Sequence, residues 1–203
     1  MSVAYEGLND CVIYDFETLS VDVNRGVVLS LGLLTFSRAR FTNNPYSYEE
    51  LLDGSVGIKY DVKKQVEVYD RKISKSTLDW WNKQPKETTA AVMVPSENDK
   101  DISETYNFFV QNVNINNLKT VFSRGNTFDI PFFEGILNDT GKKVPYPFWM
   151  VRDTRSFLDG LLWGSGVKND YIPEGCAEKF VKHDARHDCV MDVMRMQTVI
   201  QNL

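Results

Sequence analysis

Cysteine, long apolar runs and positive charge are all in short supply, and each shortage narrows the reading. The three cysteines, at positions 11, 176 and 189, form no CxxC pair and no even set. A disulfide framework is therefore not expected, and reduced thiols in a reducing compartment account for them. The longest nearly apolar run, residues 27–36, is ten residues long and includes Ser30 and Gly32. A membrane-spanning helix needs about twenty. Residues 1–10 carry Glu6 and Asp10 but no basic side chain, unlike a secretory signal. The expectation is a cytoplasmic protein with no membrane partner. The net charge of −5 argues against broad electrostatic coating of nucleic acid. It leaves room for an enzyme that grips one chain end through metal ions.

What is present is ordinary for a globular protein: 42% hydrophobic and 25% charged residues. Twelve Phe and nine Tyr supply bulk for a substantial core, against disorder. A chain of 203 residues fits one domain, and we read residues 1–203 as a single one.

Residues 11–14 form a short β-prone run ending at Asp15, and residues 26–36 read as a buried second strand, close enough to pair with it as a hairpin. The polar stretch 37–55, with Asn43-Asn44-Pro45, reads as a loop or lid. A third strand is expected over 56–60. Helices are expected over 76–84, 102–113, 131–137 and 154–163, with strands at 119–122 and 149–151. Gly141 stands just past the third helix. A last helix starts near Asp184 and runs almost to the C-terminus. The order implies an α/β fold, a mixed sheet flanked by helices. No internal repeat is present.

Three short elements carry chemistry. In Asp15-Phe16-Glu17 the strand period puts both carboxylates on one face and Phe16 on the other. Such closely set acids repel unless a cation lies between them, and oxygen donors suit Mg²⁺ or Mn²⁺. Taken alone, a DxE is more often two solvent-facing acids. Phe128-Asp129 precedes a helix, where Asp also serves as an N-cap. In His183-Asp184-Ala185-Arg186-His187-Asp188, His183 lies just before the last helix and Asp188 one turn inside it, while Asp184 is placed to cap it.

Together these elements resemble the DEDDh branch of the DEDD exonuclease superfamily, with Asp15 and Glu17, then Phe128-Asp129, then His183 and Asp188 in the family's order. The tyrosine branch would place Tyr where Asp184 stands. A closer likeness, to the phage exonuclease A type and its bacterial exoribonuclease relatives, rests on further residues. These are Asp15-Phe-Glu-Thr18, Ser76-Thr-Leu-Asp-Trp-Trp81, Arg124-Gly125, Arg152-Asp-Thr-Arg155 and His183-Asp-Ala-Arg-His-Asp-Cys189. Gly125-Asn-Thr-Phe-Asp129 departs from the H-N-A-x-F-D that many relatives carry, so contacts of that His and Asn do not transfer.

The resemblance implies a ribonuclease-H-like fold and a 3′→5′ exonuclease using two divalent cations, Mg²⁺ or Mn²⁺. Asp15 would bridge both, with Glu17 and Asp188 on one and Asp129 on the other. His183 would act as general base. His187 is the competitor, pointing about 100° away from Asp188 on the helix. Thr18 and Leu19 stand where relatives hold the terminal nucleotide, Leu19 either as a wedge against a base or as a core residue. Arg124 is a candidate phosphate contact. The basic residues Lys59, Lys63, Lys64, Arg71, Lys72 and Lys75, interrupted by acids, read as a solvated face. Trp80 and Trp81 could stack on bases, but neighbouring helix positions diverge by about 100°, so burial of at least one is expected. Single-stranded DNA 3′ ends are favoured over RNA as partner, with the host cytoplasm as location if the source is a phage. The alternatives are an exoribonuclease and an inactive nucleic-acid-binding module; the latter would be expected to lack one of the five residues, and all are present. No oligomeric state follows from the sequence.

Overall fold

The computed structural model describes residues 9–203; most of the acidic N-terminal stretch read above as unlike a signal lies outside them. β1 (Cys11–Thr18) is the central strand, buried along nearly its whole length. It pairs antiparallel with β2 (Val28–Phe36), Asp15 opposite Gly32 and Glu17 opposite Ser30, with an irregularity after Glu17. The strand runs further than the apolar stretch suggested, so the D-x-E lies inside it.

The segment expected as a loop folds instead into two short helices, α1 (Arg40–Asn43) and α2 (Tyr48–Gly54). Ser47 caps α2 by accepting from the Glu50 amide, and Phe41, Tyr48 and Leu51 are buried. Their apolar positions were too few for a helical period to show. β3 (Ser55–Lys59) follows, then α3 (Val62–Tyr69), α4 (Lys75–Trp81) and α5 (Lys86–Met93). Neither α3 nor α5 was anticipated, since each is one short, mostly polar amphipathic piece. α6 (Thr105–Asn112) continues a 3₁₀ turn over Ile102–Glu104. β4 (Thr120–Ser123) leads into α7 (Asp129–Asp139), and β5 (Val151–Asp153) into α8 (Thr154–Leu161). α9 (Ala185–Gln201) closes the chain.

The sheet order is β3-β2-β1-β4-β5, with β1, β4 and β5 parallel and the other pairs antiparallel. This is the mixed α/β sheet expected. Val12, Tyr14 and Phe16 face one layer, where Phe109, Phe132, Phe133 and Ile136 of α6 and α7 complete a core. Cys11 and Ile13 face the other, against Cys189, Val190 and Val193 of α9. Asp15 and Glu17 continue that second face, so the period of two aims both carboxylates toward α9. Among the described residues no helix is long and apolar enough to cross a membrane.

The basic stretch is mostly solvated, as read. Lys64 pairs with Asp101, Lys63 with Glu67 and Lys75 with Asp79. Arg71 is the correction: its side chain is 0% exposed and donates to the Gly26 carbonyl and Asp139 Oδ2, each at 2.8 Å. It ties the turn between β1 and β2 to the end of α7, leaving its buried Nε without a partner among the described residues.

Candidate active site

The acids arrive from three elements. β1 presents Asp15 and Glu17. α7 starts with Asp129, only 3% exposed, whose Oδ1 accepts the Phe16 amide at 3.1 Å. The carboxylate is thereby fastened to β1 between the two strand acids. α9 supplies Asp188. Its first turn is set by Asp184, which accepts from the Arg186 and His187 amides, confirming the expected cap.

Close approach of α9 to the sheet depends on Gly32. A Cβ there would lie 2.3 Å from the Ala185 carbonyl carbon and 2.6 Å from the Arg186 nitrogen. Glycine opposite Asp15 thus lets the N-terminal turn of α9 settle onto the strand that carries the acids.

His183 has a left-handed backbone, φ 65°, uncommon for a non-glycine residue. From this turn its amide donates to Asp188 Oδ2 at 2.9 Å. One ring nitrogen of His183 and one carboxylate oxygen each of Glu17 and Asp188 lie within 4.8 Å of one another. The ring packs edge-on against Trp80, with centroids 4.8 Å apart, and against Trp81 at 6.1 Å. His187 is differently occupied: its Nδ1 is hydrogen-bonded to the Tyr48 hydroxyl at 2.7 Å. Burial lowers the pKa of both histidines, which keeps the imidazoles neutral at neutral pH.

The carboxylates shift the other way. Burial first, then mutual repulsion, raises Asp15 and Glu17 well above the ordinary carboxylate range. Asp129 and Asp188 are pushed up to about 7, again chiefly by burial. Asp192, one turn further along α9, makes the contrast. It is 1% exposed, meets Arg124 and Arg195 at 2.7 Å each and accepts from the Thr154 hydroxyl. A buried acid that serves structure here has two arginines, whereas Asp15, Glu17 and Asp188 have no ion-pair partner among the described residues. The carboxylate oxygens of such a set suit a hard divalent cation.

Asp192 also corrects the expectation for Arg124. That guanidinium is fully engaged by Asp192 and by Asn169, whose Oδ1 accepts at 2.9 Å. Sequence reading missed Asp192 because nothing local distinguishes it from a surface acid on a long helix. Leu19 resolves to the core: it is 4% exposed and packs with Val27, Leu29, Trp81 and Val92. Thr18 does reach the site, lining a cleft of about 390 Å³ with Phe16, Glu17, Trp80, Trp81 and Phe128. Trp81 is buried and donates its indole N–H to the Thr18 carbonyl at 2.8 Å, while Trp80 is 41% exposed. One is buried as expected, yet both border the cleft, because Trp81 forms its inner wall and Trp80 its rim.

Comparison with known proteins bears on the family and the fold. The family described as the 3′-5′ exoribonuclease Rv2179c-like domain matches residues 10–200. An exodeoxyribonuclease of Enterobacteria phage T4 is 28% identical over 209 residues, covering 93% of this chain and 88% of that one. Solved structures of exonuclease I share the fold. One that addresses its processivity superposes with TM-score 0.59 at 12% identity, covering 93% of this chain but 40% of that chain. A zinc-bound complex of the E. coli enzyme with single-stranded DNA gives 0.56 at 12% identity, covering 94% of this chain and 39% of that one. This chain thus spans about two-fifths of the exonuclease I chains it matches. With the fold, the three acidic elements and the match over residues 10–200 in agreement, the chain belongs to the Rv2179c-like 3′-5′ exoribonuclease domain family and is a 3′→5′ exonuclease.

Proposed function

We propose that this enzyme shortens single-stranded nucleic acid from its 3′ end to mononucleotides, acting on DNA in preference to RNA. We further propose that Asp15, Glu17, Asp129 and Asp188 hold two divalent cations, Mg²⁺ or Mn²⁺. The observation that carries this reading is the convergence of four mutually repelling, buried or half-buried acids, two of them grouped with His183, while Arg124 and Arg195 are spent on Asp192. Cations bound there would polarise the phosphate and acidify a water.

The protein's own part is positioning and proton transfer. His183, kept neutral by burial, takes the proton of the attacking water through a ring nitrogen. Trp80 and Trp81 both pack edge-on against that ring. Asp188 holds the backbone of the same residue, so base and carboxylate move as a unit. The cleft leading away from Glu17, walled by Phe16, Trp80 and Phe128, offers apolar surface for the terminal base, and Thr18 lies beside it.

Preference for DNA draws support from the phage relative, an exodeoxyribonuclease, and from exonuclease I complexes with a dA16 oligonucleotide. The family description, an exoribonuclease domain, favours RNA as the second reading. Labelled single-stranded DNA and RNA of matched sequence, each with Mg²⁺ and with chelator, separate the two. Faster Mg²⁺-dependent shortening of DNA supports the proposal. Faster shortening of RNA overturns the sugar preference, and equal turnover in chelator overturns the metal.

A further inference from the structure

Most arginines around the acids are already held. Arg124 and Arg195 meet Asp192, and Arg186 donates to Ser55 Oγ and the Leu52 carbonyl at 2.9 and 2.8 Å. Arg155 differs. It is exposed and makes no hydrogen bond or ion pair among the described residues. Yet its guanidinium faces the Asp129 carboxylate across Gly125.

The two groups meet at Gly125. A Cβ on that glycine would lie 3.7 Å from Arg155 Nη1 and 3.8 Å from Asp129 Oδ2, so both charged groups border the same point. Arg155 also sits in the first turn of α8, where the helix dipole disfavours a cation. An exposed, unpaired arginine at the positive end of a helix adds nothing to the stability of α8. Its position makes sense for an anion that comes to the acidic cluster.

We propose that Arg155 is the phosphate-contact residue of this site, its guanidinium binding non-bridging oxygens of the terminal nucleotide's phosphate beside Asp129. This rests on the exonuclease reading above. The planar fork of arginine matches phosphate geometry with two parallel N–H donors. A cation here also offsets repulsion between the incoming phosphodiester and the carboxylates. Hydrolysis turns the monoanionic diester into a 5′-monophosphate of higher charge, so Arg155 holds the product phosphate at least as strongly as the substrate's.

Binding of thymidine 5′-monophosphate and of thymidine, each titrated in Mn²⁺ into the whole chain, tests this apart from turnover. The wild type binds the monophosphate more tightly than the nucleoside. Arg155→Ala should weaken the monophosphate by about ten- to a hundredfold, the scale of a hydrogen-bonded charge, and leave thymidine unchanged. Arg155→Lys should restore part of the loss, since charge returns without the fork. Mn²⁺ affinity without nucleotide should stay the same or tighten. Undiminished monophosphate binding by Arg155→Ala overturns the inference, as does an equal loss for both ligands together with a lowered melting temperature. A wild type that binds the two ligands alike would instead count against the exonuclease site itself.

Discussion

Gly32 and Ala185 approach so closely that a methyl group on the glycine would sit 2.4 Å from the Ala185 carbonyl oxygen. Gly32 is paired with Asp15 across β1 and β2, and Ala185 opens the helix that carries Asp188. This one contact therefore sets how near the two acids come. Gly32→Ala should destabilise by about 1–3 kcal/mol, the usual cost of overpacking, and should cut nuclease activity by displacing α9. Melting curves and a nuclease assay on the purified variant check both. An active, undisturbed variant would mean that α9 can shift without harm.

The two histidines should respond differently to removal. His183→Ala should slow cleavage by at least about a hundredfold, the scale of lost general base catalysis. His187→Ala should cost much less in rate, since its Nδ1 is bonded to Tyr48, and its effect should appear in stability. Matched rate measurements decide, and the reverse ranking would give His187 the role of base.

Much of this site was legible from residue order alone. The D-x-E lies within β1, and the Phe128-Asp129 and His183…Asp188 elements stand at helix starts, so backbone periodicity fixes their direction. Asp184 as the α9 cap was equally local. What escaped depends on contacts distant in sequence. Arg124 looked free until α9 brought Asp192 to it, 68 positions away. Arg71 looked solvated until Gly26 and Asp139 enclosed it. α1 and α2 were hidden because their buried residues, Phe41 in one and Tyr48 and Leu51 in the other, are too few to declare a helix.

Stability of the metal-free protein should fall as pH rises from about 4 to about 7. Asp129 and Asp188 keep their protons up to about 7 in the native state, while ordinary carboxylates in the unfolded chain lose theirs near 4. The native state thus binds more protons across that window, and the slope of stability with pH is negative. Divalent cation binds the deprotonated, folded site, so stabilisation by Mn²⁺ should grow over the same range. Melting temperatures in chelator and in Mn²⁺ at several pH values test this. A chelator series that rises with pH through this window would contradict it.

Asp192 should behave unlike the other acids. Asp192→Ala leaves Arg124 and Arg195 without their carboxylate, and removing one partner from a buried ion pair costs about 3–5 kcal/mol. Asp15→Asn, by contrast, removes one of several repelling charges at similar volume and should melt higher than wild type in chelator, yet gain less from Mn²⁺. Denaturation of the two variants side by side would show opposite signs. A destabilised Asp15→Asn would speak against crowded, unpaired acids.

The most direct test of the account is the degradation of a 5′-labelled single-stranded DNA oligonucleotide by wild type and Asp15→Asn in Mg²⁺. The wild type should yield a ladder shortening from the 3′ end, abolished by chelator and absent from a circular strand. The folded variant should leave the oligonucleotide intact. Comparable shortening by Asp15→Asn, or cleavage of the circle, would contradict the assignment of these acids to a metal-dependent 3′→5′ exonuclease site.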